Sequence, residues 1–343
     1  MLNRKLIFNI LKFVVFLGIG LLLIWYITKD LTTEQKEELR NSFRVADYWW
    51  IGLSIAIGIF SHWIRAVRWK MMLQPLGYNP RISTTFYSVM VAYLANMAVP
   101  RLGEITRCGI VQRYEKVPFD KALGTLVVER SIDLLFLFLA TLLLFLMQFE
   151  LIYGFFQDKV IIPIAEKFSS SLTMVLVFGG GLLLLTLIGY FFIKRFKHTE
   201  GYLRFRIMVM NVRDGIYSIR HLKNFKLFIF YSVLIWVCYF AMVWVCFYAL
   251  AQTSHLGLNE ALAILVFGTV GIISTPGGIG AYHLIVTETL VALYGLDRAY
   301  AISYSWLAWS AQTVMIIFLG AISLLLLSRV KRKAFGDETI RNN

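Results

Sequence analysis

Residues 122–148 read ALGTLVVERSIDLLFLFLATLLLFLMQ, and this stretch decides the fold. A run this long and this apolar would, as an α-helix rising about 1.5 Å per residue, cross roughly 30 Å of hydrocarbon. It is too continuous for a β-barrel strand, which alternates over about ten residues. Further stretches of the same kind lie at 7–27, 48–64, 172–193, 227–251 and 299–327. Of the 343 residues, 59% are hydrophobic and 16% charged, which leaves no room for a soluble catalytic domain. The expected fold is all-α, a polytopic membrane helix bundle forming a single membrane domain.

The first stretch follows Arg4 and Lys5 but runs on through Trp25 and Tyr26 without a small-x-small cleavage pattern, so it reads as a membrane helix rather than a signal peptide. The formal charge of +14 fits basic loops held against anionic lipid better than a nucleic-acid partner. Cys108, Cys238 and Cys246 have neither metal nor disulfide-framework spacing and read as packing residues.

Lys and Arg beside the helices orient the chain. Arg4, Lys5 and Lys12 place the N-terminus in the cytoplasm, as Arg329, Lys331, Arg332 and Lys333 place the C-terminus. The 28–47 loop, with four basic and five acidic residues, belongs outside, and so does 149–171. The 65–81 loop, with Arg65, Arg68, Lys70, Arg81 and no acid, belongs inside, and so does 194–226, with nine basic and two acidic residues. That basic stretch has apolar residues at helical spacing and is expected to lie on the inner leaflet as an amphipathic helix. Residues 82–118 must then enter and leave on the cytoplasmic side, and 260–295 on the outer side. Six crossings and two re-entrant hairpins result, in two units of opposite direction (48–148 and 227–327). Such inverted repeats with broken helices put substrate sites near the bilayer midplane. Eight plain crossings are the alternative, but Arg101, Glu104, Arg107 and Arg113 would then burden one short span at about 2.5–3.5 kcal/mol each near the centre.

Three constellations stand out. At the first break, Pro100-Arg101-Leu102-Gly103-Glu104 is followed by Arg107. The arginines can hold a phosphate and Glu104 can balance them when none is bound, or all are solvated loop charges. Inside 122–148, Glu129 and Asp133 share a helix face, and Arg130 is placed to pair with Asp133, leaving Glu129 for an arginine of the first hairpin. A structural ion-pair network is the alternative to a headgroup or proton path. At the second break, Thr275-Pro276-Gly277-Gly278-Ile279-Gly280 precedes Tyr282 and His283. The glycines permit close backbone approach and the returning helix aims its positive end at the break, a place for an anionic group. His283 can titrate near neutral pH or simply pack. Gly179-Gly180-Gly181 is a close-packing or kink site, since no P-loop lysine follows. No zinc, nucleotide or nucleophile motif is present, and no cofactor is expected.

These three motifs, P-x-x-G-E followed by arginine, E-R-x-x-D and P-G-G-x-G, make the chain similar to the flippase-like transmembrane domain of lysyl-phosphatidylglycerol synthases and its stand-alone relatives, from about residue 45 to 328. The resemblance implies a multi-pass protein of a bacterial inner membrane that handles lipids. Family members often carry a glutamate seven residues after the proline of P-G-G, where this chain has His283. Full-length synthases append a soluble transferase domain, so the synthase activity is not expected here. The leading expectation is translocation of a lipid with an anionic, phosphate-bearing headgroup between leaflets. A lipid-modifying membrane enzyme using Glu129, Asp133 or His283 as acid or base, and a non-catalytic scaffold, are the alternatives.

Overall fold

The computed structural model describes residues 4–99, 102–162 and 224–330, and within these every regular element is a helix. The chain begins with α1 (Arg4–Thr28), α2 (Thr33–Val45) and α3 (Tyr48–Leu73). A broken pair, α4 (Ile82–Ala98) and α5 (Leu102–Glu115), leads into the long α6 (Phe119–Met147) and the short α7 (Phe149–Phe156). The later part holds α8 (Phe225–Phe247), a second broken pair α9 (Leu258–Ser274) and α10 (Ala281–Tyr294), and α11 (Arg298–Arg329). The stretches containing α3, α6, α8 and α11 are long and apolar enough to cross a membrane. The expected span 172–193 with its triple glycine, nearly all of the basic segment 194–226, and Arg101 lie outside the described residues.

The two units match in detail. Each hairpin has a first arm of 17 residues and a return arm of 14. Each first arm ends on an extended residue directly before proline, Val99 at φ −141° and Thr275 at φ −134°, because a following proline ring disfavours helical backbone. Helices α3 and α8 run antiparallel: Asp47 N donates to the Ala249 carbonyl at one end, Ser54 Oγ to the Met242 carbonyl, and Arg68 meets Ser232 at the other end. The last helix of each unit leans on the other unit's hairpin, α6 on α9 and α11 on α4. The core forms where they meet, joining Ile51, Phe247, Ile264, Val286 and Tyr304.

Local chemistry fixes the ends. Thr32 and Gln35 form a reciprocal capping box, so part of the expected outer loop 28–47 is instead a helix, laid against α11. Asp47 and Asp297 cap α3 and α11 through the backbone N–H two residues on. The Asn96 side chain accepts from the Gly103 N–H at 2.7 Å, capping α5 from α4. In the second break Gly277, Gly278 and Gly280 all have positive φ. Gly277 packs beside Met97 at the end of α4, and its carbonyl accepts from the Trp309 indole at 2.7 Å. The backbone of Gly20 in α1 lies directly on Gly280. Beyond Asp133, α6 turns Leu134, Leu135, Phe138, Leu142 and Leu146 outward, a surface suited to lipid.

One boundary departs from the expectation with consequences for the site. Helix α3 continues past residue 64 to Leu73 because no proline or glycine intervenes before Pro75, so Arg65 and Arg68 belong to it and not to a cytoplasmic loop.

Candidate functional site: a buried ionic cluster

Helix spacing builds the cluster. On α3, Arg65 and Arg68 are three residues apart and share a face; on α6, Glu129 and Asp133 are four apart and share one too. Arg107 comes from the return arm α5, and Ser232 and Tyr239 from α8. Arg65 Nη1 donates to both Glu129 Oε1 and Asp133 Oδ2, at 2.5 and 2.9 Å, while its Nη2 donates to the Tyr239 hydroxyl at 2.9 Å. Arg68 donates to Asp133 Oδ1 at 2.9 Å and to Ser232 at 3.2 Å. Arg107 forks onto Glu129 at 3.2 and 3.0 Å, with its guanidinium 3.9 Å from the centre of the Trp69 ring, whose indole donates to Thr125.

Arg65, Arg68, Arg107 and Glu129 are each at most 4% exposed. Taking such ions out of water costs several kcal/mol each, which the mutual contacts largely repay without a net gain in stability. Three guanidinium groups face two carboxylates, so the cluster keeps one positive charge in excess. Among the described residues, the Nε donors of all three arginines have no hydrogen-bond partner. Beside it, a narrow crevice is lined by Tyr93, Asn96, Glu104, Arg107, Leu126 and Arg130. At its mouth Arg130 and Glu104 form a loose, half-exposed pair at 3.7 Å.

Of the residues singled out in the sequence, Glu129, Asp133 and Arg107 meet in the cluster, whereas Glu104 and Arg130 stand at the crevice. Arg130 does not pair with Asp133; the pairing is corrected to Arg65 and Arg68, because Arg130 projects from α6 toward α5 rather than toward α3. The space in front of Gly280 is taken by α1, so the second break places Pro276, Gly277, Gly278 and Gly280 in packed backbone. His283 is buried there, away from the ion pairs, against Trp306 and Trp309. Arg65, Arg68, Tyr239 and Trp69 escaped the sequence reading. The absence of a helix breaker before Pro75 is the signal that would have placed the first two inside the helix.

Helices long enough to cross a bilayer, with broken pairs and a buried ionic cluster between them, define a polytopic helical membrane protein. The chain belongs to the family described as the lysylphosphatidylglycerol synthase TM region, which it matches over residues 9–331. It is 24% identical over 291 residues, 81% of this chain and 84% of the relative, to the UPF0104 membrane protein MJ1595 of Methanocaldococcus jannaschii. A shorter match, 26% over 86 residues, covers 25% of this chain and 14% of the glycosyltransferase AglD of Haloferax volcanii. No solved structure matches the chain.

Proposed function

We propose that this protein moves a phosphate-bearing lipid between membrane leaflets without altering it chemically, the buried arginine cluster meeting the charge of the headgroup. The observation that supports this most is the excess guanidinium among the buried ions. An unmatched charge inside the membrane is costly, and a headgroup phosphate would neutralise it. Planar guanidinium forks match phosphate oxygens in paired hydrogen bonds, and the loose Arg130–Glu104 pair gives an incoming anion a partner that can be exchanged. In this reading the halves 48–148 and 227–327 rock against each other around the site, and no cofactor takes part.

Liposomes containing the protein and either labelled phosphatidylglycerol, a labelled polyprenyl-phosphate lipid or a labelled neutral diacylglycerol test the proposal. The phosphate-bearing lipids are expected to exchange leaflets with unchanged mass, and the two arms separate the possible lipid classes. Arg107→Lys, which keeps charge but loses the fork, should slow transfer about tenfold, roughly 1.4 kcal/mol. Equal transfer of the neutral lipid, or a change of lipid mass, would refute the assignment.

The orientation proposed with it is N-in and C-in, in the plasma membrane. All three native cysteines are buried, so introduced ones can be read against a silent background. Cysteines at Glu34 and Gln157 should react with an impermeant maleimide in intact cells and one at Lys333 should not; reaction at Lys333 alone would invert the topology.

A further inference from the structure

His283, on the first turn of α10, is fully buried, and neither of its ring nitrogens has a hydrogen-bond partner among the described residues. One turn further along the same face Thr287 is also fully buried, its hydroxyl without a partner among the described residues. This is not the habit of the fold: Thr141, Thr269 and Thr289 each return their hydroxyl to the carbonyl four residues back. A neutral imidazole has one donor and one acceptor, and each buried group left unmatched costs about 1–3 kcal/mol. Three such atoms within one helical turn mark a place for a polar guest.

The surroundings decide which guest. Around the ring stand Trp306 at 4.1 Å and Trp309 at 5.0 Å from α11, and Tyr282 at 6.0 Å on its own helix. Ile27 of α1 and Leu31, in the turn that follows it, pack around Trp306. The nearest ion pair on these two helices joins Glu288, in the middle of α10, to Arg298 at the start of α11 and is partly exposed. An anion would meet ring faces carrying negative quadrupole, and a metal would find a single nitrogen ligand; a proton needs only one nitrogen and the water that brings it. His283 follows Pro276 by the same seven residues that separate Arg107 from Pro100. One unit therefore holds a permanent cation with its counter-charge Glu129, and the other holds a residue that is cationic only when protonated.

We propose that His283 and Thr287 form a proton-binding site on the second hairpin, so that separation of this hairpin from α11 is coupled to proton uptake. The packed conformation encloses a dry ring. A conformation that admits water between α10 and α11 lets the imidazole take a proton from the aqueous phase near its ordinary pKa of about 6.5, and repacking returns it. Linkage then requires acid to favour the open conformation.

The coupling to lipid transfer rests on the translocation reading, but proton binding does not. In the full chain in lipid nanodiscs, the 15N-histidine resonance of His283, assigned with His283→Gln, should shift between about pH 8 and about pH 5. Tryptophan emission should shift to the red over the same range as water reaches Trp306 and Trp309; the shift should vanish in His283→Gln and shrink in Trp306→Phe. Transfer of labelled phosphatidylglycerol should be at least about 5-fold faster at the acid end, a dependence His283→Gln removes. A wild-type His283 resonance that stays fixed over the range overturns the proposal, with His283→Asn making the assignment where His283→Gln does not fold, as does a fluorescence transition that survives in the substituted protein. Titration of His283 with no lipid transfer at any pH would leave the proton site standing and refute translocation; pH-indifferent transfer with a silent His283 would do the reverse.

Discussion

Glu129→Ala is expected to destabilise the protein by about 3–5 kcal/mol, the cost of leaving a buried ion without its partner. Here one carboxylate serves Arg65 and Arg107 by hydrogen bonds and Arg68 at 3.7 Å, so its loss leaves three buried guanidinium groups facing Asp133 alone. Arg130→Ala is the informative contrast. Its pair with Glu104 is loose and about 46% and 37% exposed, so the change should cost less than about 1 kcal/mol. Thermal unfolding in one detergent, followed by intrinsic fluorescence, compares the two. Equal losses for both variants would show that the cluster is solvated and would remove the basis for reading it as an intramembrane site.

The second large effect concerns the tip of the second hairpin. At Gly280, with φ +78°, a side chain would be strained in any surroundings, and an added Cβ would also run into the Gly20 backbone of α1. Strain of about 1–3 kcal/mol is then joined by a clash that only movement of α1 can relieve, so Gly280→Ala should lose more than about 3 kcal/mol. Gly277 is the control, since its φ of +64° carries similar strain while its nearest neighbour, Met97, stands at an ordinary 3.7 Å. Gly277→Ala should cost only about 1–2 kcal/mol. If the two substitutions cost the same, α1 does not seat on the break and the packing of the first helix against hairpin two is wrong.

Much of the architecture was legible because its signals are local. Continuous apolar runs announce membrane helices whatever their neighbours, and Pro100 and Pro276 with their glycines announce the breaks, which fall between α4 and α5 and between α9 and α10. The outer loop misled, since a short polar helix secured by the Thr32 capping box has no long apolar run to reveal it. Loop charge counting misled at 65–81 for a related reason: positive-inside bookkeeping treats every arginine as solvated, and it cannot tell a loop residue from one buried on a helix with an acid waiting for it.

The sequence by itself determined that the chain is a helical membrane protein, where its helices break, and that Glu129 and Asp133 share one face of a long apolar helix. Which charges meet was decided by the tertiary structure. The local rule that residues three apart can pair assigned Arg130 to Asp133, yet Asp133 is held by Arg65 and Arg68, more than sixty positions away in the chain. A helix displays its residues about 100° apart, so the face of α6 that shows Glu129 and Asp133 to α3 turns Arg130 aside toward α5. Only the packing of α3, α5, α6 and α8 around one point brings the arginines there, and only the laying of α1 across Gly280 closes the second break. Neither fact is written in any short stretch of the chain, because both depend on which helix faces are left apolar and thus free to bury one another.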